Sequence, residues 1–389
     1  MRADEDRLRA SARPRVLILS FTETIRNPRP LKQIAVLKDR YDVTVASFGP
    51  SPDPDVEFIA LDPDPPRRGL AKVTGIFTLL FLLRMYRAHE SLDARNQDPL
   101  RRLRGRSWDL VIAHDPDTLA VAMQLDSRNG VLVDLHEFSP DMNEPSWRWR
   151  VLDQPYYRWV CRTHVPRAAA VTTVSPGIVD RYRREFGFES TLVMNATPYF
   201  DGSPSDPGTT IRLVHSGIAA PDRRLEVLVD AVVASGADVT LDLFLLEPDA
   251  DYSALLRRRA GADPRIRFND PVAYRDLVPT LNRFDVGVHV IAPTSFNNLW
   301  ALPNKFFDFI QARLGVIIGP SPAMARIAEE EGIGVVLPSF EADDLRAALD
   351  SLERGQVDAW KRASDLAAPR LSGEAQASIW ADLVDDLIP

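Results

Sequence analysis

The chain has 389 residues, of which 45% are apolar and 26% are charged, and it contains one cysteine, Cys161. This length exceeds what one hydrophobic core supports, so we expect two domains of an ordinary globular protein and exclude a disordered or fibrous one. A single cysteine excludes an internal disulfide and any cysteine-based metal site, and it fits a reducing cytoplasm. Residues 1–12 mix acids and bases without an apolar run, which predicts a flexible tail and neither a signal peptide nor a membrane anchor.

The net charge of −8 is unevenly distributed along the chain. Residues 1–195 carry 29 basic and 26 acidic side chains, whereas the remainder carries 18 and 29. Between Arg67 and Arg106 there are ten bases against three acids. An acidic protein with one basic flank is a poor partner for nucleic acid, but this flank predicts peripheral contact with an anionic membrane, at its inner face in the cytoplasm.

An apolar run over residues 73–83 lies inside this basic flank. It is too short to span a bilayer. Its flanking lysine and arginines fit an amphipathic helix resting on a membrane, and the same residues also fit an ordinary buried helix.

Short β-branched runs alternate with longer amphipathic segments, a pattern typical of parallel sheets flanked by helices. In the first half of the chain, a long helical region is expected over 69–95 and further helices over 30–40 and from near Pro116, Pro145 and Pro176. The strands predicted for this half cover 15–21, 41–48, 56–61, 109–113, 131–135, 170–174 and 191–194.

A stretch rich in proline, glycine, serine and aspartate, residues 195–210, interrupts this alternation and favours exposed chain. We therefore predict an N-terminal Rossmann-like domain over 13–200, a linker over 201–210, a second Rossmann-like domain over 211–370 and a C-terminal helix within 371–389. The predicted strands of the second domain are 212–215, 239–246, 265–268, 285–291, 315–318 and 335–337, and its helices are 222–235, 251–262, 273–282, 322–331 and 341–353.

Open parallel sheets bind ligands beyond the carboxyl ends of their strands. Two such sheets facing each other predict an interdomain cleft. The loops expected to line this cleft are 21–30, 114–118, 136–146, 216–224 and 291–303.

The stretch 297–320 carries the clearest candidate site. It predicts a polar loop, a helix that begins at Pro303 and stops at Gly315, and a buried strand. Asn304, Lys305 and Asp308 fall on one face near the helix start. The amide of Asn304, the ammonium of Lys305 and the free backbone amides of the helix can receive a diphosphate. The carboxylate of Asp308 can bind a ribose diol. The alternative is a solvated face with an ion pair between Lys305 and Asp308.

Two histidines follow predicted strands of the first domain. His114 comes after the strand at 109–113, and His136, with Glu137 beside it, comes after the strand at 131–135. A side chain at such a position can hydrogen-bond a sugar hydroxyl or stabilise charge during group transfer. The alternative is that either histidine only holds its loop. His215 and His289 are interpreted as strand residues of the second domain.

In the second domain, Ser216 and Gly217 lead from a strand into a helix that carries Arg223 and Arg224 near its start. Guanidinium groups at this position suit two phosphates, with one arginine toward the ligand and the other toward solvent. Two surface arginines are the alternative interpretation.

Several common cofactor motifs are missing from the sequence. It has no G-x-x-x-x-G-K-[ST] phosphate loop, and the first strand leads into residues 22–30 without a G-x-G-x-x-G turn, so kinase and dehydrogenase functions lose their support. No acidic triplet or histidine cluster in the sequence suggests a metal site. We therefore expect no metal and no cofactor.

The stretch ALPNKFFDFIQARLGVIIGP resembles the P-N-K-L-F-E-Y-M-A-x-G-x-P-V-I block of retaining glycosyltransferases of family 4, which have two facing Rossmann-like domains, the GT-B fold. Four further segments occur in the order and spacing that this family requires: AHDPDT, VDLHEFSP, HSGIAAPDRRLEVLVDA and FDVGVHVI. The resemblance covers the chain from Arg15 onward.

The resemblance implies a donor site for a nucleotide-diphospho-sugar. Asp308 takes the position of the family's second glutamate, which binds the ribose, and Arg223 or Arg224 with Lys305 holds the diphosphate. His136 matches the histidine near the donor sugar. Trp300 replaces the family's first glutamate in this sequence.

The first loop also departs from the family, because ETIRNPRP replaces its usual glycines. Arg26 and Arg29 in that loop are candidates to meet an anionic acceptor. His114 and Glu137 are further acceptor-side candidates.

The function implied is transfer of a sugar from a nucleotide-diphospho-sugar to a hydroxyl of a glycan or lipid-linked glycan, without metal and with retention. A nucleotide-sugar epimerase of the same fold and a non-catalytic nucleotide-sugar-binding protein are the alternatives, and Trp300 in place of an acid favours the latter.

Overall fold

The computed structural model describes residues 13–67, 69–73, 75–206 and 208–389. The predicted tail and Arg68 of the basic flank lie outside the described residues. The chain divides into two compact units. The first unit contains the described residues up to Val193 together with Ala377–Pro389, and the second unit is Met194–Gln376. The described part of 201–210, where the sequence predicts the linker, belongs to the second unit.

The first unit is built on a parallel sheet of seven strands among the described residues, in the order β3-β2-β1-β5-β7-β8-β9, and a separate pair, β4 and β6. The strands are β1 (Arg15–Glu23), β2 (Asp42–Phe48), β3 (Glu57–Ala60), β4 (Ser107–Trp108), β5 (Leu110–His114), β6 (Asp126–Ser127), β7 (Val131–Leu135), β8 (Ala170–Thr173) and β9 (Thr191–Leu192).

Helices connect these strands, as parallel pairing requires. They are α1 (Pro28–Leu37), α2 (Ile76–Leu82), α3 (Tyr86–Leu92), α4 (Ala94–Arg102), α5 (Leu119–Ala122), α6 (Gln154–Thr163) and α7 (Pro176–Phe186). A π-helical turn, Trp149–Asp153, precedes α6. The helix predicted to start near Pro145 is present: helical structure begins at Trp147, two residues later, and continues through the π-helical turn into α6.

The region 69–95, predicted as helical, is helical but divided. The chain there forms a 3₁₀ turn (Gly69–Lys72) and then the separate helices α2, α3 and α4. Gly75, with φ of 78°, precedes α2, and Arg84, with φ of 55°, lies between α2 and α3. Left-handed residues interrupt a right-handed helix, so the apolar run is confined to two turns. Within the described ranges, no helix is both long and apolar enough to cross a bilayer.

The second unit has a parallel sheet of six strands among its described residues, in the order β12-β11-β10-β13-β14-β15. Its strands are β10 (Ile211–Ile218), β11 (Val239–Leu246), β12 (Ile266–Asn269), β13 (Val286–His289), β14 (Gly315–Ile318) and β15 (Gly334–Val336). The helices that follow are α8 (Glu226–Ala234), α9 (Ala250–Ala260), α10 (Tyr274–Leu281), α11 (Phe296–Leu299), α12 (Asn304–Gln311), α13 (Pro322–Glu331), α14 (Ala342–Asp350), α15 (Arg354–Ala367) and α16 (Gly373–Leu387).

Close packing fixes the position of α12 against the second sheet. Phe309 of α12 lies directly over Gly287 of β13, where a Cβ atom would stand 2.3 Å from the ring. Only glycine permits this approach of the helix to the strand. The packing buries Phe306, Phe309 and Ile310 completely, so the opposite face near the start of α12 is held at a fixed height above the sheet.

The predicted stop of this helix at Gly315 is wrong. The helix ends at Gln311, and the left-handed residue that releases the chain is Arg313, with φ of 61°. The Arg313 side chain is buried, and its guanidinium donates to Asp365, to the carbonyl of Gln311 and to the carbonyl of Phe200. These charge-assisted hydrogen bonds offset the strain that a non-glycine residue has in this conformation.

Candidate functional site

Two histidines meet at the carboxyl edge of the first sheet. His114 ends β5 and His136 follows β7, and because these strands are neighbours, Nδ1 of His114 lies 3.0 Å from Nε2 of His136. The other ring nitrogen of His114, Nε2, lies 2.9 Å from Oε1 of Gln33 in α1. The two loop histidines singled out from the sequence are therefore brought together, and Gln33 is a partner that the sequence did not indicate.

One arrangement of protons satisfies these contacts. The amide oxygen of Gln33 can only accept, so His114 donates from Nε2 and its Nδ1 accepts a hydrogen bond from His136. Burial lowers the pKa of His114 to about 3, which keeps that ring neutral. Burial also disfavours the charged form of His136, but the carboxylates of Asp115 and Asp134 outweigh it and raise the pKa of His136 above its ordinary value. His114 thus carries a single proton, on Nε2, and His136 is the ring whose charged form is favoured.

A buried ion pair supports the histidines from below. Arg29 donates to both oxygens of Asp134, at 2.9 Å and 2.5 Å, and to the carbonyl of Val193 at 2.8 Å. Although burial raises the pKa of Asp134, Arg29 and His136 hold it well below its ordinary value. The interpretation of Arg29 as an acceptor-side residue is corrected, because its side chain is only 3% exposed and its guanidinium is fully engaged inside the unit.

Asp115 fixes His136 from the loop after β5. Its Oδ1 accepts the backbone amide of His136 at 3.0 Å, and its Oδ2 lies 3.3 Å from Nδ1 of the ring. The backbone of Asp115 has φ of 61° and ψ of 161°, a conformation that is normally found only in glycine. A strained backbone therefore places one carboxylate against both the main chain and the ring of His136.

The two histidines and Asp134 also form a cluster that could hold a metal ion, since one ligand atom of each lies within 4.8 Å of the others. The oxygens of Asp134, however, already accept hydrogen bonds from Arg29, from Gln33 and from Thr172. A guanidinium in contact with the carboxylate also repels a cation. The chemistry of this cluster fits a hydrogen-bonded histidine pair better than a metal centre.

The other two acceptor-side candidates lie at the surface of the first unit. The side chain of Arg26 is 80% exposed and pairs with Glu23 at 2.9 Å. Glu137 is exposed, and its backbone carbonyl accepts a hydrogen bond from the hydroxyl of Tyr182 at 2.8 Å. The first loop thus contributes an exposed cation in Arg26 and a structural one in Arg29.

In the second unit, Lys305 lies over the carboxyl end of β10. A Cβ atom on Gly217, where φ is 154°, would stand 2.6 Å from Nζ of Lys305. Burial and the nearby Arg223 lower the pKa of Lys305 from 10.5 to about 8, against the opposing effect of Asp308. Among the described residues, no hydrogen bond or ion pair to its ammonium group is found. A desolvated cation without such a partner is suited to an anionic ligand.

Two buried histidines flank this lysine. His215 of β10 donates from Nδ1 to the carbonyl of Val288 at 2.8 Å, and its ring stacks on that of His289 with centroids 6.3 Å apart. Within the described part of the chain, Nε2 of His215 and Nδ1 of His289 are buried without a hydrogen-bond partner. Burial and the charge of Lys305 lower the pKa of both, so both rings are neutral. The sequence had indicated only strand positions for them; the signal available was their place at the ends of β10 and β13.

The two neighbouring arginines have different surroundings. Arg223 acts on the pKa values of both Lys305 and His289, so its charge lies close to them. Arg224 has a left-handed backbone, with φ of 48°, and its guanidinium lies 3.3 Å from the carboxylate of Glu341. Of the pair predicted to hold a diphosphate, the geometry favours Arg223 and assigns Arg224 to a surface ion pair.

The remaining donor-site candidates are largely buried. Asp308 is 3% exposed, and its Oδ1 accepts a hydrogen bond from Thr197 at 2.5 Å. The side-chain oxygen of Asn304 accepts from Asn195 at 2.9 Å. Ser216 is buried at the end of β10, and Trp300 packs against the hydrophobic core of the second unit. Trp300 therefore serves packing, whereas Asn304 and Asp308 remain beside Lys305 at the start of α12.

Known proteins are similar to this chain in part of the sequence and in the fold. Residues 28–195 match the Glycosyl transferase 4-like domain. No curated protein matches the sequence. Among solved structures, HepE of Anabaena in complex with UDP-glucose superposes with a TM-score of 0.67 at 15% identity, covering 96% of this chain and 100% of that one.

Two further solved structures have the same fold. Sucrose-phosphate synthase of Thermosynechococcus elongatus gives a TM-score of 0.68 at 15% identity, covering 96% of this chain and 99% of the other. WaaG, a glycosyltransferase involved in lipopolysaccharide biosynthesis, gives 0.62 at 11% identity and covers 95% and 99%. The chain has the GT-B fold with two Rossmann-like domains, as predicted from the sequence.

Proposed function

We propose that this protein is a glycosyltransferase that moves a sugar from a nucleotide-diphospho-sugar to an acceptor hydroxyl. The observation that carries the proposal is the group formed by Lys305, Arg223 and two neutral histidines at the carboxyl end of β10. It offers two cations and two open ring nitrogens within one site, which suits a diphosphate joined to a sugar. The match of residues 28–195 to the Glycosyl transferase 4-like domain and the UDP-glucose complex of HepE support this reaction class.

In the reaction we propose, the bond between the sugar carbon C1 and the diphosphate oxygen breaks first. Lys305 and Arg223 stabilise the charge that develops on the leaving diphosphate. The acceptor hydroxyl then bonds to C1 on the same face of the sugar and passes its proton to the departing phosphate oxygen, so the configuration at C1 is retained. No protein nucleophile is required.

His136 has the role that the family resemblance gives it, next to the reacting sugar. The carboxylates of Asp115 and Asp134 raise its pKa and so favour the charged ring, which can donate a hydrogen bond to a sugar hydroxyl. Asp115 and the pair Arg29–Asp134 hold the ring in place. Because the charge at the diphosphate is met by side chains, we also propose that the reaction needs no metal, which activity in excess EDTA would test.

The test of donor binding uses the two adjacent arginines as a matched pair. Binding of UDP, GDP and ADP to the purified protein is measured by calorimetry, together with thermal shifts, because a ligand that binds only the folded state raises the melting temperature. Arg223→Ala should weaken binding of the preferred nucleotide about tenfold or more, since a charge-assisted contact is lost. Arg224→Gly should leave the affinity unchanged, because Arg224 is engaged with Glu341 at the surface.

Turnover separates the proposed function from its alternatives. Incubation with a donor alone should give slow hydrolysis, and added acceptor should give transfer with retained configuration by NMR. Formation of an isomerised sugar nucleotide from donor alone would indicate an epimerase. No nucleotide binding in any of the three series would refute the proposal.

We propose further that the acceptor lies at an anionic membrane surface and that the protein acts in the cytoplasm at the inner face of the membrane. Large exposed apolar side chains lie on α2 and on the segment before α6, and these two segments pack together. The exposed apolar residues there are Leu79, Leu82, Leu83, Met85, Met142, Trp147 and Val151. We call these seven residues the apolar patch.

Exposed cations lie next to the residues of the apolar patch in the sequence. Arg84, Arg87, Arg148 and Arg150 are exposed, and no ion pair to them is found among the described residues. By contrast, the later bases of the predicted flank are engaged: Arg101 and Arg102 pair with Asp98, and Arg106 with Glu57. The region suited to an anionic surface therefore differs from the predicted 67–106, because it covers residues 79–87 of that flank and adds residues 142–151.

Sedimentation with vesicles tests the membrane contact. The protein should bind vesicles that contain phosphatidylglycerol and should bind phosphatidylcholine vesicles weakly. Trp147→Ser, whose side chain is 71% exposed, should reduce binding, whereas Leu366→Ser, which is 76% exposed in the second unit, should not. Equal loss in both variants, or equal binding to both kinds of vesicle, would refute this contact.

A further inference from the structure

A pocket in the first unit lies beside the His136 loop and has no role in the reaction as described above. It consists of two adjoining cavities of about 380 and 130 Å³. The two share four lining residues, Phe81, His89, Asp93 and Arg95, so they form one depression. A combined volume of this size reaches the lower range of small-molecule sites, which is about 300 Å³.

The walls of this pocket are aromatic. Phe81 of α2 and Tyr156 of α6 stand edge to face, with centroids 5.5 Å apart and planes at 84°. Tyr157 lies next to Tyr156 in the smaller cavity, and Phe77 lines the larger one. Flat apolar faces set at angles to one another suit a ligand that has both C–H faces and polar edges, as a pyranose ring has.

Two polar side chains of the pocket, those of His89 and Asp153, have groups that are open to a ligand. Nδ1 of His89 is buried without a hydrogen-bond partner among the described residues, and burial lowers the pKa of this ring so that it is neutral. Asp153 has no ion pair or hydrogen bond in the described structure, and Asp117 accepts from the hydroxyl of Tyr157 at 2.8 Å. Burial raises the pKa of both carboxyl groups.

The charges around the pocket disfavour an anionic ligand. Asp93, Asp117 and Asp153 line the smaller cavity with one cation, Arg95, which lies 3.5 Å from Asp93. The larger cavity adds Asp64 and Arg67, so the described lining has four carboxyl groups against two cations. A phosphate or carboxylate placed among these groups would meet like charge and lose its hydration. Hydroxyl and acetamido groups would instead donate hydrogen bonds to the open acceptors.

The position of the pocket connects it to the proposed reaction. It opens between the end of β1, through Phe21, and the turn after β5, through Asp117. Asp117 is two residues from Asp115, which holds the amide and ring of His136. A ligand in the pocket therefore contacts the same loop that positions the candidate catalytic histidine.

We propose that this pocket binds an uncharged sugar residue of the acceptor, a hexose or an N-acetylhexosamine, in preference to a uronic acid or a sugar phosphate. This inference rests on the proposed function, of which it names the acceptor class. It adds that the saccharide residue of the acceptor nearest the transferred group is uncharged. It also adds that the apolar patch, which shares α2, receives what is attached to that saccharide.

Saturation-transfer NMR on the full chain tests this inference. The probes are methyl glucoside, methyl galactoside, methyl mannoside and methyl N-acetylglucosaminide, with glucuronic acid and glucose 6-phosphate as the anionic pair, each with and without UDP. At least one neutral glycoside should receive saturation, and with UDP filling the donor site neither anion should. Phe81→Leu keeps the apolar volume but removes the ring, and it should weaken binding of that glycoside about two- to tenfold. Asp153→Asn should also weaken it, and Ser91→Ala, on the exposed face of α3, should not.

Each result decides the inference. Saturation of an anionic probe that competes with the neutral one, no saturation of any glycoside, or equal binding by Phe81→Leu and wild type would overturn it. UDP binding without glycoside binding would overturn this inference and leave the donor site intact. Glycoside binding that depends on Phe81, without binding of any nucleotide, would support the pocket and refute the transferase.

Discussion

Lys305→Met tests the donor site most sharply, because the structure predicts opposite changes in stability and in binding. The ammonium group lies over Gly217 next to Arg223, without an ion-pair partner among the residues described. Methionine has a similar length, is apolar, and fills the same space. The substitution therefore removes a desolvated charge without opening a large cavity.

The magnitude follows from the depressed pKa of Lys305. A fall from 10.5 to about 8 corresponds to about 3 kcal/mol against the charged form in the folded protein. Below pH 8 the folded protein bears this cost, and Lys305→Met should remove up to that amount. The melting temperature of the second unit should rise by about 2–4 °C for each kcal/mol gained. Affinity for UDP should fall about 30-fold or more, since truncating one member of a desolvated charge pair costs about 2–5 kcal/mol.

The pH dependence of the unfolding free energy checks the direction of the predicted change in stability. Between pH 8 and 10.5 the unfolded lysine binds a proton that the folded lysine does not, so wild-type stability contains a component that rises with pH. The difference in unfolding free energy between Lys305→Met and wild type should therefore shrink over this window. Chemical unfolding measures the difference in stability between Lys305→Met and wild type at pH 7 and at pH 9.5. Calorimetry at pH 7 measures the affinity of both proteins for UDP. A variant that is less stable than wild type at pH 7, or that binds UDP equally well, would refute the reasoning.

Three further predictions concern other parts of the two units. Arg29→Met should lower the unfolding free energy of the first unit by about 3–5 kcal/mol, measured by urea unfolding, because it leaves Asp134 charged and buried without its partner. The double variant Arg29→Met with Asp134→Leu should recover part of this loss. If Asp308 binds the ribose, the wild-type protein should bind UDP more tightly than 2′-deoxy-UDP in calorimetry, and Asp308→Ala should lose that preference. An unchanged preference in Asp308→Ala would exclude this contact. His215 has a pKa of about 3 in the folded protein, so the unfolded chain binds a proton at pH 5 that the folded protein does not. The protein should therefore be about 2 kcal/mol less stable at pH 5 than above pH 6.5. His215→Gln should flatten this pH dependence of thermal unfolding.

The alternation of strands and helices was predictable because it depends on local pattern. Strand β11, predicted at 239–246, is Val239–Leu246, and helix α13, predicted at 322–331, is Pro322–Glu331. Periodicity and caps carry this information within a few residues of the element itself. The breaks within 69–95 differ in this respect, because Gly75 marks the first break in the sequence, whereas the turn at Arg84 has no glycine or proline to mark it.

The candidate site was predictable in position but not in its contacts. Histidines after β5 and β7 were expected at one edge of the sheet, and they meet there. The partner of Asp134, however, is Arg29, which is 105 residues away in sequence, and no local pattern indicates such a pair. For the same reason the sequence could not distinguish Arg223 from Arg224, since Glu341, which engages the latter, lies 117 residues further along the chain.

Residues other than glycine that have a positive φ occur both where the sequence did not predict a turn and next to the candidate site. Among the described residues they are Arg84, Asp115, Arg224 and Arg313. Such a conformation costs about 1–3 kcal/mol at a non-glycine residue, so it persists only where the surroundings impose it. Asp115 holds His136, Arg224 turns the chain directly after Arg223, and Arg313 ends the helix that begins beside Lys305. Three of the four thus border groups assigned here to catalysis or donor binding. Where the side chain itself has no role in the site, as for Arg224, glycine should be tolerated or stabilising; at Asp115, glycine would relax the backbone but remove the carboxylate from His136.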